Sequence, residues 1–296
     1  MTAPSIPATT VAPAVSSSAS RPTVAATLVA IGNEVDKGLR FGWAERRQIV
    51  LELAMFVPLF LLFAAVAGQG DAIVTGRFAW TFDDRRTASL LVGFSLGMFF
   101  FLQVQKYFWR QLGEIQAGTL EQVYLSPLPW WALAAVGRVL AGILETTFVI
   151  GTLNLVVALT VGVHIPHWNP TVLVPMGFLV AGSIGYSLAI GGLTLLWKRI
   201  EMLNEMLLIV LFFAGGVMVT LDDMPAWMAA VGRLLPVTHP ITAARRVLLD
   251  GGGLALTGDG GLLPMAALAA GWLAAGAYAF HRAARRVRRD GTLTRY

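Results

Sequence analysis

Four groups of side chains in this sequence have types and spacing that chemistry could use. Gly93-Phe94-Ser95-Leu96-Gly97 matches G-x-S-x-G, the turn that presents a serine nucleophile in hydrolases. That turn joins a strand to a helix, whereas this copy sits inside an apolar run. Small residues four apart there read as a surface for close helix packing. His164-x-x-His167 offers two metal ligands but has no acid nearby, so both are read as loop histidines. Asp222-Asp223 has the charge to hold a cation, yet it fits better as the cap of an outer turn that begins a short helix. Glu145 falls roughly two helical turns inside an apolar segment, where a carboxylate costs a few kcal/mol and must face protein or water. Gly142, Val149 and Thr152 share its face. A structural hydrogen bond near the membrane boundary is the plainer role, and gating or coupling is the functional one. No catalytic residue and no metal site is expected.

The elements that carry these residues follow from composition. The 296 residues are 56% hydrophobic and 13% charged, with a mean hydropathy of +0.68. Soluble domains carry about 25% charged residues, so half the usual polar coat is missing and lipid is the expected cover. The net charge of +5 is clustered, which points to membrane topology rather than nucleic-acid binding. The absence of cysteine excludes disulfides, thiol chemistry and Cys-based metal sites.

The expected fold is all-α and polytopic. Residues 1–24 read as a disordered tail, since Ala, Pro, Ser and Thr there form no packing face. Residues 25–47 read as an amphipathic interfacial helix, with Leu28, Ile31, Val35 and Leu39 at helical spacing. Six spans are expected at about 49–68, 87–105, 138–162, 171–197, 204–221 and 262–281, forming a six-helix transmembrane domain over 48–281. With the N-terminus inside, sixteen Lys and Arg lie inside and six outside, and only an even count keeps Arg282–Arg289 inside. Residues 282–296 form a basic cytoplasmic tail. The outer loop 222–261 holds two short helices, Pro225–Leu235 and Pro240–Leu249, which either dip into the outer leaflet or rest on it. Glu52, Glu201 and Glu205, near span ends, are read as facing cytosolic water or neighbouring helices.

Between the second and third spans lies Gly118-Thr119-Leu120-Glu121-Gln122-Val123-Tyr124, closed by Ser126-Pro127-Leu128-Pro129. Thr119 and Gln122 have capping-box spacing, and Pro127 limits the helix to little more than two turns. Leu120, Val123 and Tyr124 share one face, with Glu121 on another. Such a knob either docks in a groove on another protein or rests on lipid headgroups.

Glu114-x-x-x-Gly118-Thr119-Leu120-Glu121-Gln122 with Ser126-Pro127-Leu128 resembles the cytoplasmic signature of the type-2 ATP-binding-cassette (ABC) transporter permeases, the membrane subunits of bacterial exporters. Leu234-Leu235-Pro236-Val237-Thr238-His239-Pro240, then Ala243-Ala244-Arg245, resembles that family's late motif. Gln116 stands where the family often has an acid, and Gly137-Arg138 where it often has Gly-Lys. The resemblance implies that Gly118–Tyr124 is a coupling helix, with Leu120, Val123 and Tyr124 packing on a cytosolic ATPase and Glu114 and Glu121 as polar contacts. It implies two ATPase copies, a second permease half (identical or not), and a bacterial inner membrane with both termini cytoplasmic. No lysine follows a glycine, so the phosphate-cradling G-x-x-x-x-G-K-[ST] is absent. ATP and Mg are therefore expected on the partner, and no cofactor in this chain.

The resemblance places the substrate path on the second and fifth spans, with Phe94, Met98, Phe101, Phe212 and Phe213 as its lining. That lining suits an amphipathic or apolar cargo such as a drug, antibiotic or lipid, with a polysaccharide or glycolipid as the alternative. The rivals are an ion-coupled carrier, disfavoured by few intramembrane acids and no internal repeat, and an intramembrane hydrolase using Ser95.

Overall fold

Hydrocarbon offers no water to the backbone, so apolar runs of this length fold as helices that satisfy their own hydrogen bonds. The computed structural model describes residues 23–44, 46–67, 84–119, 137–163, 165–197 and 200–290, and they contain no strand. Nine α-helices occur among the described residues. They are α1 (Val24–Ala44), α2 (Arg46–Ala67), α3 (Asp84–Gln116), α4 (Arg138–Val161), α5 (Leu173–Leu196), α6 (Glu201–Ala214), α7 (Ala226–Gly232), α8 (Thr238–Leu249) and α9 (Leu262–Asp290). Short 3₁₀ turns occur at Pro170–Val172 and Leu221–Asp223. The tail expected at 1–24 lies almost wholly outside the described residues.

Among the described residues, five stretches are long and apolar enough to cross a membrane: Ile49–Val66, Arg85–Gln116, Arg138–Val161, Pro170–Leu196 and Leu262–Val287. The expected span at 204–221 differs. Its helix, α6, has 14 residues, about 21 Å at 1.5 Å per residue, against a hydrocarbon core of about 30 Å. It stops at Gly215 and Gly216, the latter at φ 78°, a left-handed conformation that glycine adopts without penalty. The apolar run continues, but its backbone turns.

The second span also differs, in the other direction. Expected to end at 105, α3 runs 33 residues to Gln116. Lys106 and Arg110 do not end it, because each is neutralised by an acid from a neighbouring helix.

α3 is the axis of the fold, packing against α2, α4, α5, α6 and α8. Phe60 of α2, Phe94 of α3 and Leu153 of α4 are fully buried in one apolar cluster. Phe100, Tyr186 and Leu211 belong to another, which joins α3, α5 and α6. α5 and α9 make the closest helix pair, because Gly185 and Gly276 bring their backbones together and a Cβ on either would strike the other helix. α8 buries Ile241, Ala243, Ala244, Val247 and Leu248 against α3 and α5. It is thus a packed part of the core.

Candidate functional site

The site begins where α3 ends. Gly118 sits at φ 69°. Its N–H donates to Ile115 O at 3.2 Å, and the Thr119 N–H donates to Glu114 O at 3.1 Å. This pair of bonds is a Schellman motif, which closes the last turn and sends the chain off at a set angle. Thr119, expected to open a capping box, also closes α3, its hydroxyl donating to Glu114 O at 3.4 Å; Gln122, the other half of that box, lies outside the described residues. Leu120, Glu121, Gln122, Val123 and Tyr124 lie outside the described residues, and the end of α3 that leads to them is their stalk.

That stalk is clamped. Glu114, one turn before Gly118, accepts a charge-assisted bond from Arg138 at the start of α4. Lys37 of α1 stands 3.2 Å from its other oxygen and 3.7 Å from Glu34. The helices that flank the 120–136 segment, α3 and α4, are therefore tied by one ion pair where that segment leaves and returns. Arg138 stands where the family often places lysine, and its side chain is only 3% exposed.

One turn deeper, a second cluster joins four elements. Glu145 of α4 pairs with Arg110 and, at 2.7 Å, with Lys106, both on α3. Lys106 also reaches Glu52 of α2 at 3.4 Å. Arg110 donates to Gly38 O of α1 at 3.4 Å. Gly42 of α1 lies against the Glu145 carboxylate, which a Cβ there would approach to 3.0–3.2 Å. These four charged side chains are 10–13% exposed. Two acids and two bases thus neutralise one another where any single charge would be costly.

Glu145 has a partner, as its depth required, but the partners were not foreseen. In sequence, Lys106 and Arg110 fall just beyond the expected end of the second span and count among the inside charges. Their four-residue spacing puts both on one face of an extended α3, which is the signal that could have found them. Glu52 turns to α3 rather than to water.

The Ser95 hydroxyl donates to Asn154 Oδ1 at 3.0 Å. Its flanking glycines serve packing: a side chain at Gly93 would strike Arg245 and the Val217 carbonyl, and one at Gly97 would strike Val217. His164 lies outside the described residues, while the His167 ring rests against Gly251. Asp223 accepts from the Thr220 hydroxyl at 2.6 Å in the 3₁₀ turn Leu221–Asp223. No group of three His, Asp or Glu side chains able to hold a metal occurs among the described residues.

The five aromatic and methionine positions of the expected path are spread differently. Phe94 and Met98 are covered by the chain's own helices, Phe94 packing on Phe60 and Phe212 with ring centroids 5.5 and 6.1 Å apart. Phe101 and Phe212 are half-buried. Phe213 is exposed.

Arg245, counted in sequence as an outer-loop charge, is buried. Its guanidinium donates to Gly216 O at 2.7 Å, Val217 O at 2.8 Å and Ser89 O at 3.1 Å. It thereby holds the turn that ends α6 against α3. Burial lowers its pKa to about 10, which leaves it charged at neutral pH. Nearby, Arg233 donates to both oxygens of Asp259 at 3.0–3.1 Å. This bond holds the Asp259 carboxyl below its usual range. His239 Nδ1 accepts from the Gly260 N–H at 3.1 Å, which leaves Nε2 to donate to Arg233 O at 3.2 Å. The late motif therefore bolts α7, α8 and the 258–261 turn together.

A family model described as ABC-2 type transporter matches residues 39–249, more than half of the chain. The match runs from α1 to the last residue of α8 and covers both sequence motifs. The chain therefore belongs to the ABC-2 type transporter family and is a membrane subunit of an ABC transporter. Membership implies partnering with an ABC ATPase subunit and a dimeric permease. A search among curated proteins finds no match.

Proposed function

We propose that this chain is the permease half of an ATP-driven exporter for an amphipathic or hydrophobic substrate such as a drug, antibiotic or lipid. It works in a bacterial inner membrane with both termini in the cytoplasm. α6 with the 215–221 segment completes a sixth crossing, and α1 lies along the inner face. Two copies of a cytosolic ATPase bind ATP and Mg and carry out hydrolysis, while this chain performs no catalytic step. Their closure pushes the Gly118–Tyr124 knob, and the push rocks this half against a second one.

The observation that carries this reading is the clamp on Glu114. Force arriving at the knob must pass through α3 and α4, and the Arg138–Glu114 pair ties those helices at that point. The Glu145 cluster behind it extends the tie to α1 and α2. Rigid helices joined by charge-assisted bonds move as a unit rather than bending at the first turn.

The test is Leu120→Asp/Tyr124→Asp in the full chain. The variant is expected to keep the wild-type melting temperature and to lose ATPase association and ATP-dependent transport. Intact association and transport in this variant would overturn the reading.

A further inference from the structure

Glu205 of α6 differs from the other acids near the membrane helices. Glu52, Glu114 and Glu145 each have a Lys or Arg within 3.4 Å. Glu205 has no such cation among the described residues. Its one polar contact is a neutral amide: Gln105 Nε2 donates to Glu205 Oε1 at 2.6 Å. Gln105 is itself fixed in orientation, because its Oε1 accepts from Asn204 Nδ2 at 3.1 Å. Asn204 is fully buried and its Oδ1 has no partner. A relay of two amides thus aims one half-buried carboxylate that has no cation beside it among the described residues. Glu201, one turn earlier at the start of α6, adds a second negative charge on the same side.

The surroundings of this carboxylate are apolar. Glu205, Ile209 and Phe213 recur four residues apart and so share a face of α6, flanked by Met202 and Met206. Ile209 is 51% and Phe213 55% exposed, and both methionines are more so. From Glu205 to Phe213 is eight residues, about 12 Å of helix. The face presents a negative charge at one end, flexible thioethers in the middle and an aromatic ring at the other. Methionine adapts to varied apolar shapes, and a ring face attracts a cation.

We propose that Glu205 recognises the charge of a cationic amphipathic substrate, whose apolar body lies along Met206, Ile209 and Phe213. This deepens the exporter reading and rests on it, naming the cargo class as lipophilic cations. The relay through Gln105 and Asn204 positions the carboxylate, and both are positioning residues. No covalent step is involved.

The test uses tetraphenylphosphonium and tetraphenylborate, which share size and shape but carry opposite charge. Binding is measured to the full-length permease in zwitterionic nanodiscs, with empty nanodiscs as baseline. Wild type is expected to prefer the phosphonium by roughly tenfold, the scale of one charge-assisted contact. Glu205→Gln retains an oxygen to accept from Gln105 and is expected to abolish the preference, while Glu205→Asp retains part of it. Equal binding of the two probes by wild type, or an unchanged preference in Glu205→Gln at wild-type melting temperature, would overturn the proposal. The ATPase is absent from this measurement. A negative result removes the cation site alone, whereas failure of the Leu120/Tyr124 experiment removes the exporter reading whatever the probes do.

Discussion

Lys106 Nζ of α3 lies 2.7 Å from Glu145 Oε1 of α4, and each side chain is only 10% exposed. Two helices of a membrane protein are thus held by opposite charges shielded from water. Such pairs add little over an apolar contact of the same shape, but losing one member strands the other. Glu145→Gln leaves Lys106 with Glu52 and Arg110 with only the Gly38 carbonyl among the described residues, and is expected to cost about 3 kcal/mol of stability. Lys106→Met in the same background is expected to cost much less than the sum of the single changes. Melting temperatures of the four proteins of this cycle measure the coupling. Additive losses would show that the pair is not a unit.

Gly118 and Gly113 make a matched comparison on one helix. Gly118 is at φ 69°, where a Cβ is strained by about 1 kcal/mol or more, although nothing surrounds it. Gly113 is helical, exposed and equally open, so alanine there gains up to about 1 kcal/mol. Gly118→Ala is expected to lower the melting temperature and reduce ATP-dependent transport, because the knob leaves α3 at a changed angle. Gly113→Ala is expected to raise the melting temperature and leave transport unchanged. Like behaviour of the two variants would refute the Schellman exit as a determinant of coupling.

How far the sequence led depends on what each residue's neighbours are. Apolar run length marked the five long helices, because a hydrocarbon core selects for it directly. Residue depth alone showed that Glu145 needed a partner. The identity of that partner was hidden, since Lys106 and Arg110 follow an apolar run and look like its cytosolic flank. Arg245 was hidden for the converse reason. It stands in a loop-like, Pro-rich region, and only the fold brings three backbone carbonyls to it. The early end of α6 left a visible sign in Gly215-Gly216, which the apolar residues after it outweighed. The Gly118 turn was legible as a glycine break, whereas the bond by which Thr119 closes the helix behind it was not.

Arg245 donates to the Ser89, Gly216 and Val217 carbonyls, and its bonds to the last two are buried. Arg245→Met fills similar space and strands those acceptors, each worth about 1–3 kcal/mol when buried without a donor. The expected result is a loss of about 3 kcal/mol or more and poor recovery from the membrane. Gly93→Ala is expected to fail in the same way, because its methyl group meets the guanidinium and the Val217 carbonyl. Gly151→Ala, where the added carbon meets nothing, serves as the control. Wild-type melting in Arg245→Met would show that the α6 turn does not depend on this side chain.

His239 makes the outer segment sensitive to acid. Burial holds its pKa below the ordinary value of about 6.5. The bond to Arg233 O and the Asp259 charge oppose that shift, and the Arg233 charge adds to it. The unfolded segment therefore takes up the proton first as pH falls. Its stability is complete above about pH 6.5 and declines from there through the lower pKa of folded His239. Protonation removes the Nδ1 lone pair that accepts from the Gly260 N–H. Asp259 stays ionised across this range, because Arg233 depresses its pKa further, so it does not contribute. The protection factor of the Gly260 amide in hydrogen exchange, corrected for intrinsic rate, is expected to fall on going from pH 7.5 to 5. In His239→Phe it is expected to be low and independent of pH over the same interval. A wild-type protection factor that stays constant would rule out His239 as the acid-sensitive bolt.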